Sequence, residues 1–432
     1  TRIYGTMYFG TSTDTVGMTV DMGLRFQMYG GKLLGNSIIY PAVFTSGLAS
    51  QGFAYCNTDD FELSNLDFSA FTTSTGTDED KTITLEGDMK FGALTVESGD
   101  TLDLNGQRME CSGTLTNSGT IDFDGMVYAP TIDSDGATAN KSSGTAVLQP
   151  ASGVTLDLRD DATLGTLMVN AGSSRVDIAA THNAASATTL FVGSGILDLA
   201  DKNASYTNMN IATGATLDAD SSAITCAGDF TTAGGLIGKS AAVFDGSQEA
   251  DFGDPSEFEI TDTITIEAWI RPESTTSLQG IVGKVQFGGV SNKEWGLSSN
   301  SAKWFFKMGN GTTNGTIESN DDYVVDKWYH LACTKDGSGV MKMYVDGKIQ
   351  STTQTVTGDC NPTFDFIMGR RASSADFNFT GTLGLVRIFN TARTVTEIRT
   401  DMFNNFSSMD STTGLVACYQ FDTGTGTTIL DS

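Results

Sequence analysis

Trp328-Tyr-His-Leu-Ala-Cys-Thr-Lys-Asp-Gly-Ser-Gly-Val-Met-Lys-Met-Tyr-Val-Asp-Gly347 alternates as the two arms of a β-hairpin must. On an extended chain Trp328, His330 and Ala332 point to one side, and Tyr329, Leu331 and Cys333 to the other. Beyond the turn at Asp336-Gly337, Met341, Met343 and Val345 share a face that excludes Lys342 and Tyr344. Asp-Gly between two alternating runs is a strong hairpin signal, because the turn needs positive φ and glycine adopts it without steric cost. A second Asp-Gly, Asp346-Gly347, closes the next turn.

Upstream of the hairpin lie Ala241-Ala-Val-Phe-Asp-Gly246, Asp262-Thr-Ile-Thr-Ile-Glu-Ala-Trp-Ile-Arg-Pro272 and Ile281-Val-Gly-Lys284. Downstream comes Phe379-Thr-Gly-Thr-Leu-Gly-Leu-Val-Arg-Ile-Phe-Asn390, then Thr394-Val-Thr-Glu397, a capping-box pattern that starts a short helix. In order and spacing these segments resemble the laminin-G-like, concanavalin-A-like jellyroll family, over residues 236–432. The resemblance implies an all-β sandwich. It leaves function open, because this superfold hosts lectins, adhesins, glycosidases and plain spacers. Where the family often carries Asp-Glu ahead of Val-Arg-Ile, this chain has Gly384-Leu385. That Asp is a place where members bind calcium, so the resemblance carries no calcium site to this position. The run Gly414–Ser432 resembles a recurring element of such proteins, and the chain is expected either to continue past it or to end on it.

The whole chain, 432 residues with a net charge of −27, has room for two or three domains with packed cores. An acidic surface repels nucleic acid and anionic membranes, which argues against a phosphate-binding role. Forty-nine glycines against six prolines, with 25 Phe and 39% hydrophobic residues, describe a turn-rich β protein with real cores. No apolar run approaches the ~20 residues of a membrane helix. The chain begins at Thr1 with no basic region followed by an apolar block, so no secretory signal is visible. Cys56, Cys111, Cys226, Cys333, Cys360 and Cys418 are scattered, without a C-x-x-C pair or a disulfide framework.

Residues 86–235 repeat. An apolar-Asp-apolar triplet begins at Leu102, Ile121, Leu156, Val176, Leu197 and Leu217, in steps of 19, 35, 20, 21 and 20 residues. A glycine precedes each triplet. A fixed period near 20 is the mark of a β-solenoid, whose stacked rungs share one continuous core. The expected geometry puts Leu102, Leu156, Val176, Leu197 and Leu217 in register and inward, with the Asp column outward. Such a column needs pairing, spreading or neutralising cations. The architecture resembles the β-helical shafts of phage fibres and bacterial surface proteins. Residues 1–85 read as a β-rich cap or attachment segment, with strands expected at Met18–Val20, Leu24–Met28, Ser37–Tyr40 and Phe61–Phe68.

Two histidines are too few for a metal triad or a Ser-His-Asp arrangement, and His330 reads as a strand residue. Glycosidase chemistry needs two carboxylates at a defined separation. Glu257, Glu259, Asp262 and Glu267 do not fit the Glu-x-Asp-x-x-Glu pattern that glycosidases of the resembled fold carry, so no catalytic activity is expected. Trp269 and Glu267 face away from Ile264, Ile266, Ala268 and Ile270, and with Trp295 and Trp304 they are the expected ligand-binding residues, stacking on a pyranose. The competing assignment for each Trp is inter-sheet core. Glu267→Gln is then expected to change ligand affinity alone. Asp245 with Asp251, Asp321 with Asp322, and Asp376 with Asn378 are candidate Ca²⁺ ligands, against solvated turn acids. The expectation is a non-enzymatic virion-surface protein, a bacteriophage tail fibre or head decoration. It would be trimeric, touch other virion proteins, and carry a head for cell-surface glycans. The alternatives are a bacterial or archaeal extracellular adhesin and a glycan-degrading enzyme.

Overall fold

The computed structural model describes residues 2–9, 27–35, 61–63, 66–74 and 80–421, apart from 81, 86, 135–138, 143, 158–163, 180–186, 235–239, 260–261, 276–277, 287–291, 372–376 and 405–411. The chain divides into two compact units, Thr1–Phe230 and Thr231–Ser432.

The first unit is a β-solenoid of parallel strands. Its interior is written in register lines. Met109, Val127, Ala146, Leu167, Leu190 and Met209 sit directly beside one another on successive strands. Two residues on, Ala129, Leu148, Val169, Val192 and Ile211 do the same. Both lines belong to one buried core. Side chains alternate across a strand, so the intervening line, Glu110, Tyr128, Val147, Met168, Phe191 and Asn210, lies on the opposite face. Tyr128, Val147, Met168 and Phe191 are nonetheless buried.

The period of about 20 has a cause in the turns. Asp or Asn side chains accept a backbone N–H from the next rung: Asp88 from Arg108, Asp201 from Ser221, Asn203 from Ala223, and Asn208 from Asp229. Asn105 donates to the Leu85 carbonyl. Corner groups that no strand ladder can reach are satisfied by these contacts. At Gly195, with φ +78, an added Cβ would meet the Ser174 carbonyl at 2.5 Å, so the corner also needs a residue without one.

The expected stack is only partly realised. Val176, Leu197 and Leu217 are in register. Leu156, however, pairs with Ile178, two residues past Val176. A slip of two keeps every side chain on its own face, so Leu156 remains inward. Leu102 lies beside Ile83 and Ile121 in a second, seven-stranded sheet. The 35-residue step contains Ile132–Asp133, Ala139–Ser142 and Thr145–Leu148, strands that lack the triplet. Leu217 is half-buried, on one of the last strands of the stack. Ahead of residue 86 the parallel ladder already runs through Arg2–Phe9, Gln27–Gly35 and Phe61–Leu63 onto Thr82–Leu85. The stretch Phe61–Phe68 falls in two strands, Phe61–Leu63 and Leu66–Ser74, which pair in different sheets. Met18–Val20 and Ser37–Tyr40 lie outside the described residues.

The second unit is an antiparallel sandwich. One sheet orders Ala242–Asp245, Thr380–Phe389, Ile264–Pro272, Tyr329–Lys335, Val340–Val345 and Lys348–Ile349, with Gln354–Thr355 and Leu415–Tyr419 attached. The other orders Ala250–Asp251, Ile367–Met368, Gln279–Lys284, Lys293–Asn300, Lys303–Asn310 and Asn314–Glu318. The hairpin read first in the sequence forms with Leu331 beside Val345 and Cys333 beside Met343. Between the sheets lie Ile264, Ile266, Ala268, Ile270, Leu297, Phe306, Met341 and Ile388, among others. A helix at Val395–Asp401 starts with the complete capping box: the Thr394 hydroxyl accepts from the Glu397 N–H, and the Glu397 carboxylate accepts from the Thr394 N–H.

Candidate functional site

Each sheet of the sandwich has one face turned away from the shared core, and the two are built differently. On the eight-stranded sheet, Glu267, Trp269, His330 and Arg387 occupy that face. Glu267 lies opposite Arg387 on the neighbouring strand, and their side chains meet at 2.7 Å. Arg393 approaches the same carboxylate at 3.6 Å and His330 at 3.8 Å. The helix closes over them. Arg387 donates to the Asp401 carbonyl at 2.9 Å, Arg393 pairs with the Asp401 carboxylate, and the Trp269 indole N–H donates to the Met402 carbonyl at 2.6 Å.

Burial there sets the protonation states. Loss of water raises the Glu267 carboxyl above the usual carboxylate range, against the pull of the Arg387 and Arg393 guanidiniums. His330 is held well below the usual imidazole range by burial and then by Arg387, so it is neutral in the fold. A carboxylate at 0% exposure, matched by two guanidiniums, is a structural anchor rather than a contact for a sugar.

The aromatic platform expected from the sequence is therefore absent in this form. Trp269, Trp295, Trp304 and Trp328 are each at most 1% exposed. Trp295 and Trp304 belong to the inter-sheet core, Trp304 packing on Tyr323 with centroids 4.2 Å apart. Trp269 does face away from the core, as its position in the strand requires, but Phe403 lies on it at 5.5 Å. An outward direction is not exposure when a helix packs on that face. Gly384 is explained here too: an added Cβ would come within 3.1 Å of the Trp328 ring and 3.3 Å of Trp269 Cβ.

The six-stranded sheet presents a different surface. Trp295, Leu297, Trp304, Phe306, Met308 and Ile317 point into the core, so Glu294, Ser298 and Asn300, Lys303, Phe305 and Lys307, and Thr316 and Glu318 point away. Phe305 stands beside Ser298 on one side and Glu318 on the other, and is half-buried. Lys307 pairs with Glu294 at 2.7 Å. Lys303 pairs with Asp322 at 3.0 Å and donates to the Asn320 carbonyl at 2.6 Å. Ser298, Glu294 and Lys307 are buried, so the open part of this face is the part-exposed Phe305 with Asn300, Lys303, Thr316 and Glu318, an aromatic among amide, hydroxyl and charged groups of the kind expected at the Trp positions. Alternation within Lys303–Asn310 was the signal that could have found it.

The acidic residues named as Ca²⁺ ligands are engaged locally. Asp245 accepts from the backbone and hydroxyl of Ser247, and Asp251 from the Gly253 N–H, as turn acids do. At Asp321-Asp322 the Lys303 ammonium already supplies a cation, and Asp321 offers its carbonyl to Ser319. Asn378 donates to the Gly246 carbonyl, while Asp376 lies outside the described residues. Among the described residues one acidic group converges, Asp198, Asp218 and Asp220 on the solenoid, with ligand atoms within 4.8 Å of one another. Arg175 pairs with Asp177, Asp198 and Asp218, so one guanidinium spans three rungs of the Asp column.

An antiparallel sandwich built on this order of strands defines a concanavalin-A-like jellyroll. Residues 244–399 match the family model of the concanavalin A-like lectin/glucanases superfamily, Laminin_G_3. Comparison with curated proteins gave no match. Among solved structures the chain is similar to a putative carbohydrate binding protein from Bacteroides ovatus, at 21% identity and TM-score 0.36, covering 46% of this chain and 57% of that one. It is also similar to a heptameric SAP-like pentraxin from Limulus polyphemus, at 16% identity and TM-score 0.30, covering 37% and 79%. A third is the CBM40 of a Ruminococcus gnavus sialidase bound to α2,3 sialyllactose, at 14% identity and TM-score 0.32, covering 38% and 96%. The chain thus spans a little over half the length of the first of these structures.

Proposed function

We propose that this chain is a non-enzymatic structural protein of a virion surface, a bacteriophage tail fibre or head decoration, whose sandwich binds cell-surface glycans. The observation that carries the reading is the pairing, in one chain, of a β-solenoid with a sandwich that matches a lectin and glucanase superfamily over residues 244–399. The open part of the outer face of the six-stranded sheet, the part-exposed Phe305 with Asn300, Lys303, Thr316 and Glu318 around it, is the sugar-binding surface in this proposal, because a part-exposed ring among amide and hydroxyl groups suits a pyranose. Support for a non-enzymatic role comes from Glu267, a carboxylate of the motif strand that is shut in by Arg387 and Arg393. A trimer would multiply weak single-site affinity through effective concentration.

A glycan array probed with the purified chain, with Phe305→Ala beside it, tests the binding. Retention of neutral or acidic glycans by the wild type and their loss in the variant is the expected result. No retention by the wild type overturns it. Antibody labelling of phage particles against bacterial or archaeal cell surfaces decides between a virion component and an adhesin. Light scattering, with calcium and with chelator, decides the trimer.

A further inference from the structure

Resting on that assignment of the sugar-binding surface, we infer that the six-stranded sheet selects neutral sugar chains and excludes sialylated and sulfated ones. The reason is the charge balance of the face. The three of its six strands nearest Phe305, Lys293–Asn300, Lys303–Asn310 and Asn314–Glu318, direct two basic side chains outward, Lys303 and Lys307. Each is already matched. Lys307 lies 2.7 Å from the Glu294 carboxylate, which is 0% exposed. Lys303 lies 3.0 Å from Asp322 and 2.6 Å from the Asn320 carbonyl.

A carboxylate or sulfate on a sugar needs a cation that is not already paired, or a bidentate fork, to repay its lost hydration. Capturing either lysine would strip the ion pair it now makes, and for Lys307 would take the paired ammonium from the buried Glu294 carboxylate, which keeps the Gln286 N–H. The acidic groups around Phe305 point the same way. Glu318 is exposed on the same face beside Phe305, and Asp321 and Asp322 stand exposed in the adjoining turn. An anionic ligand would therefore arrive against a negative field, in a chain of net charge −27. A neutral pyranose meets no such penalty. Its apolar face lies on Phe305, and its hydroxyls meet Asn300, Thr316 and the outer oxygens of Glu318, groups that bind uncharged donors and acceptors.

The discriminating residue is Asp322, whose removal frees the Lys303 ammonium without touching the ring. The experiment compares the wild-type chain, Asp322→Asn and Phe305→Ala on neutral hexose and pentose oligosaccharides, on α2,3-sialyllactose and on sulfated disaccharides. The wild type is expected to bind neutral probes at least tenfold more tightly than either acidic class. Asp322→Asn should narrow that ratio severalfold, and Phe305→Ala should abolish neutral binding with the fold intact by circular dichroism. Wild-type preference for sialylated or sulfated probes overturns the inference while leaving glycan binding standing. Neutral binding that survives Phe305→Ala, or a ratio unmoved by Asp322→Asn, overturns the assignment to this face. A chain that binds no probe in any form takes down the proposed function together with this inference.

Discussion

The carboxylate of Glu267 and the guanidinium of Arg387 meet at 2.7 Å between neighbouring strands, with 0% and 1% of their side chains exposed. The two residues come from Ile-Glu-Ala-Trp-Ile and Val-Arg-Ile-Phe-Asn, separate motifs that lie 120 positions apart. A pair of this kind is expensive to break on one side only, because the partner is left charged and dry.

Glu267→Gln and Arg387→Met should each destabilise the sandwich by about 3–5 kcal/mol, and the double variant by clearly less than the sum. Urea denaturation followed by tryptophan fluorescence measures both. This replaces the sequence-based expectation that Glu267→Gln touches ligand affinity alone. Independent, additive losses would show that the two do not act as a pair.

His330 gives the sandwich an acid limit. The unfolded chain takes up a proton on this imidazole as pH falls below about 6.5, whereas the folded chain resists it because burial has lowered the group. Its contribution is thus present above about pH 6.5 and is lost as pH falls, at up to ~1.4 kcal/mol per pH unit. The raised carboxyl of Glu267 works in the opposite sense, favouring the folded state in acid. Comparing wild type with His330→Gln isolates the imidazole: the variant should lose less stability between pH 7 and pH 5. Identical slopes would assign the acid limit to other groups.

The thiols sort by burial. Burial raises Cys111 and Cys333 far above the ordinary thiol range and pushes Cys360 up to about 11. Cys418 is also buried, and Cys226 is half-buried on one of the last strands of the solenoid. Iodoacetamide at pH 8 on the folded protein should therefore label Cys226 well ahead of those four, read by peptide mass spectrometry. Equal labelling would contradict the packing of the two cores.

Arg175 neutralises the Asp column where it is densest. Arg175→Gln should lower the melting temperature of the solenoid, and the deficit should shrink in ~1 M salt, where screening acts within about 3 Å. A deficit that is unchanged by salt would mean that Arg175 acts through packing instead.

In the solenoid interior, Leu167→Ala should cost about 2–5 kcal/mol, because its neighbours Ala146 and Leu190 in the register line are held by their own strands and close the void poorly. Denaturation of the 432-residue chain, read by far-ultraviolet circular dichroism, measures it.

Much of the architecture was legible in the residues because β-structure writes a period of two. The hairpin, the outward direction of Glu267 and Trp269, and the capping box at Thr394 and Glu397 all follow from local chemistry. The hairpin turn, however, takes its positive φ at Gly339 and not at Gly337, because the loop runs on to a Gly339 N–H that donates to the Asp336 carbonyl. The rung spacing followed as well, since turn acids such as Asp201 must meet a backbone N–H about 20 residues on. Register was harder: a slip of two residues, as at Leu156 and Ile178, leaves the hydrophobic pattern unchanged.

What the sequence alone determined, then, is which side of its strand each residue takes. Tertiary structure decided what lies on that side. Trp269 points away from the core in either view, and the helix Val395–Asp401, with Met402 and Phe403 behind it, makes that direction an interior. Phe305 points away from the core on the other sheet and stays half-open. Alternation is a local property of the extended backbone, whereas cover depends on contacts made by residues more than a hundred positions away, to which a period of two carries no reference.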